Sequence, residues 1–228
     1  MSGRLQRPGI PGCWGRLLMN RNGARLIRLL VVALLLAGGW EMAEGGYIKM
    51  KAWLAQQLLQ SAWETTLAGG TRARPWPWAD TWPLARLQVA RLGIDQIVLS
   101  GASGRTLAFG PGHLSGTALP GGPGNSVISG HRDTHFSFLR DLLPGDRIEL
   151  TPASGEMLMY AVITAEVRHQ DDLWLLDQGH SLLTLITCYP FDALLPGGAE
   201  RFVIRALPLS DKVPQPPLGG GAGRPVYL

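Results

Sequence analysis

The chain has 228 residues, 46% of them hydrophobic, which is enough for one sizeable core with short appended segments and cramped for two full domains. Its formal charge of +4 comes from the N-terminus. Of 21 Lys and Arg, six (Arg4, Arg7, Arg16, Arg21, Arg25 and Arg28) fall in residues 1–40 with no acid among them, leaving 15 basic against 17 acidic side chains elsewhere. No cluster of Lys or Arg interleaved with aromatics exists beyond that leader, so no nucleic acid is expected as a partner.

In chain order, the basic stretch 1–28 runs into "LLVVALLLAGGW", an uncharged segment whose length alone fits a signal-peptide core as well as a bilayer span. Arg28 is placed to snorkel, and apolar character resumes through Met42, Ala43, Tyr47 and Ile48 without a small-x-small cleavage site. These features favour an uncleaved signal anchor over residues 29–48. The arginines ahead of it put residues 1–28 in the cytoplasm and the remainder across the membrane. Cys13 and Cys188, the two cysteines, then lie on opposite faces and form no disulfide.

Residues 49–68 read as an amphipathic helix. Ala55, Leu58, Leu59, Ala62 and Trp63 recur at helical spacing, with Gln56, Gln57, Gln60 and Glu64 on the other side. Such a helix packs on the domain, lies on the membrane or pairs with a partner's membrane segment. Residues 69–84, with paired glycines and prolines, form a linker whose tryptophans are expected to rest against the following domain.

From residue 85 to 209 the texture changes to short apolar runs: "LQVARLGI", "QIVLS", "NSVISG", "DRIELT", "MLMYAVITAEV", "LLTLITC" and "RFVIRA". Seven or eight strands without long helical stretches between them point to an antiparallel barrel or sandwich. "ASGRTLAFG" and "HFSFLRDL" are expected to form short helical turns. The Pro- and Gly-rich segment 210–228 is expected to be disordered.

Three residues carry candidate chemistry. Cys188 ends a buried strand that Tyr189 and Pro190 terminate, so its thiol lies at a strand mouth; as a free thiol outside the cytoplasm it is either a reactive group or a small buried hydrophobe. His131 is delivered by the strand through Ser129. His135 follows four residues on, but the intervening sequence is turn-like and lacks a metalloprotease glutamate, so no metal site is expected. Taken alone, His131 reads as a satisfied polar group, and only its combination with the cysteine raises it above that. Arg201 opens a strand on which Arg201, Val203 and Arg205 share one face while Phe202 and Ile204 share the other. If that strand returns antiparallel to the one ending at Cys188, Arg201 lies beside the cysteine and Arg205 about 13 Å away.

"TLITC", "SGHRDTHFSFL" followed by "PGDRIEL", the arginine of "RFVIRA" and "GPGHLSGTALPGGPGN" together resemble the sortase family, the membrane-anchored cysteine transpeptidases, over about residues 86–207. The segment before His131 is similar to that of class D-like sortases. The Trp-rich juxtamembrane stretch and "CYPFDALLPGG" resemble a subgroup from Gram-negative, often marine, proteobacteria. The resemblance implies an all-β fold, a closed antiparallel eight-stranded sortase-type barrel with short helical turns. It implies Cys188 as nucleophile, His131 as acid/base and Arg201 as the group that binds substrate and stabilises the oxyanion. The implied partner is a secreted or membrane-tethered protein ending in a Leu-Pro-X-Thr-Gly-like sorting signal, with the enzyme in the inner membrane, in contact with its lipid, and the catalytic domain in the periplasm. The 189–200 loop and its neighbouring strands are the expected substrate cradle. No run of acids suggests the calcium site of some members, so no cofactor is expected. Competing readings are a cysteine hydrolase that releases the partner, an L,D-transpeptidase, whose local signatures are missing, and a non-catalytic membrane-tethered assembly module with Cys188 as core.

Overall fold

In a computed structural model of the chain, residues 21–70, 72–172, 179–193 and 197–209 are described. Cys13, the arginines before residue 21 and the 210–228 segment lie outside them. The chain divides into two compact units, Met1–Met50 and Lys51–Leu228.

Within the first unit the described residues are all helical and belong to helix α1, Arg21–Leu67. This helix is long and apolar enough to cross a membrane by length and composition. Leu29, Leu34, Leu35 and Leu36 all expose their side chains.

In the second unit, the end of α1 presents Ala55, Leu59, Ala62 and Trp63 as buried side chains, whereas Leu58 stays partly exposed. Gln56 donates from Nε2 to the Phe109 carbonyl at 2.9 Å. Of the linker tryptophans, Trp76 packs edge-on against Phe109 with ring centroids 4.9 Å apart, while Trp78 is 82% exposed.

The rest of the unit is a closed eight-stranded barrel: β1 (Pro83–Val89), β2 (Ile94–Ser100), β3 (Gly112–His113), β4 (Asn125–Ser129), β5 (Arg147–Pro152), β6 (Leu158–His169), β7 (Leu182–Cys188) and β8 (Glu200–Pro208). Around the barrel the order is β1-β2-β3-β4-β7-β8-β6-β5. The β2/β3 and β4/β7 pairs are parallel, and the other six are antiparallel. Parallel neighbours need a long crossover, and the β5–β6 hairpin supplies it between β4 and β7. The short helix α2 (Gly104–Leu107) and the 3-10 turn Ser137–Asp141 occupy the two segments expected to be helical.

"LQVARLGI" is not one strand: it holds the end of β1, a turn and the first residue of β2. β1 stops at Val89, a 3-10 turn spans Ala90–Leu92, and Gly93 at φ 64 reverses the chain so that Val89 pairs with Ile94. The left-handed conformation is open to glycine at no steric cost, which is why the chain can turn here. β3, two residues long, is too short for any periodicity to mark.

Alternation fills the interior. Ala85, Leu87 and Val89 of β1, Leu183 and Leu185 of β7, and Ile204 and Ala206 of β8 meet in one core with Phe136, Phe138, Leu139 and Leu142 from the segment after β4. Gly130 extends β4, and its N–H reaches the Ile186 carbonyl at 3.1 Å. A Cβ at this position would lie 2.6 Å from Cγ of the fully buried Phe136. The glycine is therefore what lets the aromatic ring close under the end of β4. Gly130→Ala is expected to lower stability by about 1–3 kcal/mol through overpacking, read by denaturant unfolding of the detergent-solubilised chain; an unchanged midpoint would show that Phe136 yields freely.

Candidate active site

β4 and β7 run in the same direction and therefore end at the same edge of the barrel. Their register runs from Asn125↔Leu182 to Ser129↔Ile186. Continued by two residues, that register brings His131 level with Cys188. β8 starts at this edge and runs back, and Cys188 pairs directly with Arg201. Directly opposed residues of an antiparallel pair have Cα atoms about 4.5–5.5 Å apart.

The three residues also share a face. Leu183 and Leu185 point into the core, so Cys188 belongs to the opposite, outward set of β7; Ile204 and Ala206 point inward, so Arg201 is outward on β8; and Ile128 points inward, so His131 continues the outward set of β4. Cys188 and Arg201 are half-buried and His131 is exposed. Cys188 is a free thiol.

Local backbone bonds hold each position. The Tyr189 N–H donates to the Glu200 carbonyl at 3.1 Å as the last rung of β7/β8. Pro190, lacking an N–H, cannot extend the ladder. The His131 carbonyl accepts from Phe136 N–H at 2.9 Å, closing the turn that follows β4. Arg201 donates from Nη1 to the carbonyls of Gly198 (2.7 Å) and Glu200 (2.8 Å), and from Nη2 to Gln170 Oε1 (2.9 Å). Among the described residues these account for three of the five guanidinium N–H groups.

Arg205 pairs with Thr184 on β7 and Thr164 on β6, four residues down the barrel from Arg201. Of the two arginines on this face, only Arg201 is at the Cys188 edge.

His135 has a different environment from His131. Its carbonyl accepts from Gln96 Nε2 at 2.8 Å. It lines an apolar groove of about 600 Å³ with Leu54, Leu58, Trp76, Trp78 and Phe109. Burial pushes its imidazole below the usual histidine range, against a hydrogen bond to the Ala108 carbonyl that raises it, and the nearby His131 lowers it further. His135 is thus held neutral near pH 7.

Sequence reading passed over two side chains at this edge. Gln170, just past β6, binds Arg201 while its own N–H reaches the Ala199 carbonyl at 2.7 Å. Arg132 is buried beside His131. Nothing in the local pattern around Gln170 marks it, whereas a charged residue directly after a strand-terminal histidine is a signal that was open to notice.

A closed eight-stranded barrel carrying a free cysteine, a histidine and an arginine on three adjacent strand ends narrows the class, and comparison with known proteins identifies it. Residues 87–209, more than half of the chain, match the family model of the Sortase domain. The chain belongs to the sortase family. It is 29% identical over 120 residues to Sortase D of Bacillus subtilis (strain 168), an alignment covering 52% of this chain and 60% of that relative, so the match falls short of the relative's full length. Among solved structures it is similar to the Clostridium perfringens Sortase D5 transpeptidase, with a TM-score of 0.56 at 21% identity over 69% of this chain and 99% of the other. It also resembles Clostridium perfringens sortase C solved with the C-terminal cell wall sorting motif, with a TM-score of 0.51 at 23% identity over 71% and 90% of the two chains.

The His135 environment has a consequence for stability. Its folded pKa lies below its unfolded one, so the unfolded chain binds the extra proton, and stability is full above about pH 6.5 and falls as pH drops below it. The contribution of one such proton cannot exceed a slope of about 1.4 kcal/mol per pH unit. Between pH 7.5 and 5 the unfolding midpoint of wild type should fall more steeply than that of His135→Gln; parallel curves would mean His135 titrates normally.

Proposed function

We propose that the protein is a cysteine transpeptidase that cleaves a Leu-Pro-X-Thr-Gly-like sorting signal at the C-terminus of a partner protein and transfers the partner to an amine. The observation that carries this reading is the register of three strand ends: Cys188 opposite Arg201, with His131 at the end of the strand parallel to β7. The family match supports it.

In the proposed reaction the Cys188 thiolate attacks the scissile carbonyl carbon, and the carbonyl oxygen takes up the negative charge. Arg201, permanently cationic, stabilises that oxygen through the N–H groups left over from Gly198, Glu200 and Gln170. Collapse breaks the C–N bond. Protonated His131 gives its proton to the departing nitrogen, which leaves as a neutral amine, and a thioester remains on Cys188. An incoming amine attacks the thioester, neutral His131 accepts its proton, and the thiolate is released as the new amide forms. The exposure of His131 suits a residue that exchanges protons with two successive amines.

The apolar part of α1 suits a single-pass anchor in the inner membrane, with the N-terminus cytoplasmic and the barrel in the periplasm. The partner is then a secreted or membrane-tethered protein bearing the signal, presented near the same bilayer.

Cys188→Ala is expected to abolish cleavage of a fluorogenic sorting peptide with little change in stability, because it removes the nucleophile and little volume. Arg201→Ala should lose about a hundred- to a thousandfold in rate, or about 2.7–4 kcal/mol. Arg201→Lys should remain substantially impaired because the planar fork is lost. Arg205→Lys should change turnover by less than about threefold. Full activity in Cys188→Ala would end the transpeptidase reading, and a larger loss at Arg205 than at Arg201 would reassign the third residue.

A further inference from the structure

The residue after His131 is an arginine only 5% exposed. Its Nη1 donates to the Pro190 carbonyl at 2.6 Å and its Nη2 to the Ala193 carbonyl at 2.9 Å. Its Nε donates to Asp133 at 3.0 Å, a carboxylate whose side chain is 68% exposed. The guanidinium thus bridges from the end of β4 to the backbone of the loop that follows Cys188. A buried cation with one mostly solvated counter-charge is costly, and a loop that only had to close would do so more cheaply with apolar packing.

The position of this bridge separates it from the thiol chemistry. Cys188 is held by the β7/β8 ladder on both sides, through its pairing with Arg201 and the Tyr189 N–H bond to Glu200. His131 is held by the bonds of Gly130 to Ile186 and of Phe136 to the His131 carbonyl. Neither depends on Arg132. The backbone of 190–193 does, since the one other described bond there is the longer Ala193 N–H to Pro190 carbonyl contact at 3.4 Å. Phe191 anchors the same turn by its side chain, with its ring 5.2 Å from Phe202 and under the Arg140 guanidinium at 5.0 Å.

We propose that Arg132 is a substrate-positioning residue: by holding the Pro190 and Ala193 carbonyls it sets the wall of the peptide site beside Cys188, so that its loss weakens binding of the sorting peptide and leaves the reactivity of the thiol intact. This inference rests on the transpeptidase reading. Lysine does not replace it, because an ammonium lacks the fork that spans two carbonyls.

The test uses the full chain in detergent, with kcat and KM for a fluorogenic sorting peptide and, separately, the rate of iodoacetamide alkylation at Cys188 followed by mass spectrometry. Arg132→Met should raise KM at least fivefold with kcat within about twofold of wild type, and Cys188 should alkylate at the wild-type rate. Arg132→Lys should recover KM only in part, and it carries the same test if Arg132→Met does not fold. A fall in kcat at unchanged KM, a slowed alkylation, or no change in KM in the folded variants would overturn the inference. Wild-type enzyme that cleaves no sorting peptide would instead overturn the transpeptidase reading, and this inference with it.

Discussion

β4 and β7 lie side by side and parallel, in register from Asn125↔Leu182 to Ser129↔Ile186, and the arrangement of every candidate catalytic group follows from that pairing. Parallel strands deliver their last residues to one edge of a sheet, and a strand returning from that edge places its first residue there as well. His131, Cys188 and Arg201 are far apart in sequence. They become neighbours because two of them end strands that run together and the third begins the strand that runs back.

Buried polar contacts pin this pairing more tightly than apolar packing would alone. Thr184 donates to Asn125 Oδ1 at 2.7 Å with both side chains fully buried, and Thr187 donates to the Gly130 carbonyl at 2.8 Å. A slip by one residue would leave these groups buried without partners and turn Leu183 and Leu185 away from the core. Register is therefore specified twice, by the hydrophobic alternation and by the hydrogen bonds, which leaves the outward Cys188 little freedom of position. The loops after it are held differently, by side chains that reach across from other strands.

Much of this edge was legible in the residues themselves. Apolar alternation through "LLTLITC" and the proline two residues past the cysteine mark a strand that ends at Cys188, and the first residue of "RFVIRA" is its antiparallel partner, as the simplest return predicts. Alternation puts Arg201 and Arg205 on one face, and the rise of about 3.4 Å per residue along the strand separates them without any structure. Less legible was anything whose role depends on tertiary reach. The turn inside "LQVARLGI" depends on one glycine in a left-handed conformation, while Gln170 accepts from the Arg201 side chain and Arg132 binds a backbone carbonyl, about 30 and 60 residues away in sequence. No local period encodes such contacts, because period reports which face a residue occupies and not what lies opposite.

If enzyme and partner are both tethered to one bilayer, weak recognition of a short peptide suffices, because tethering raises the effective concentration. The account then rests on one chemical event, formation of a thioester at the end of β7. Acid-quenching the full chain during turnover of a sorting peptide and mapping the acyl adduct by mass spectrometry tests that event directly. The account predicts an adduct with the mass of the peptide cut after its threonine, located on Cys188 and discharged by added amine; an enzyme that turns the peptide over with no adduct on Cys188, or with the adduct on another residue, would contradict it.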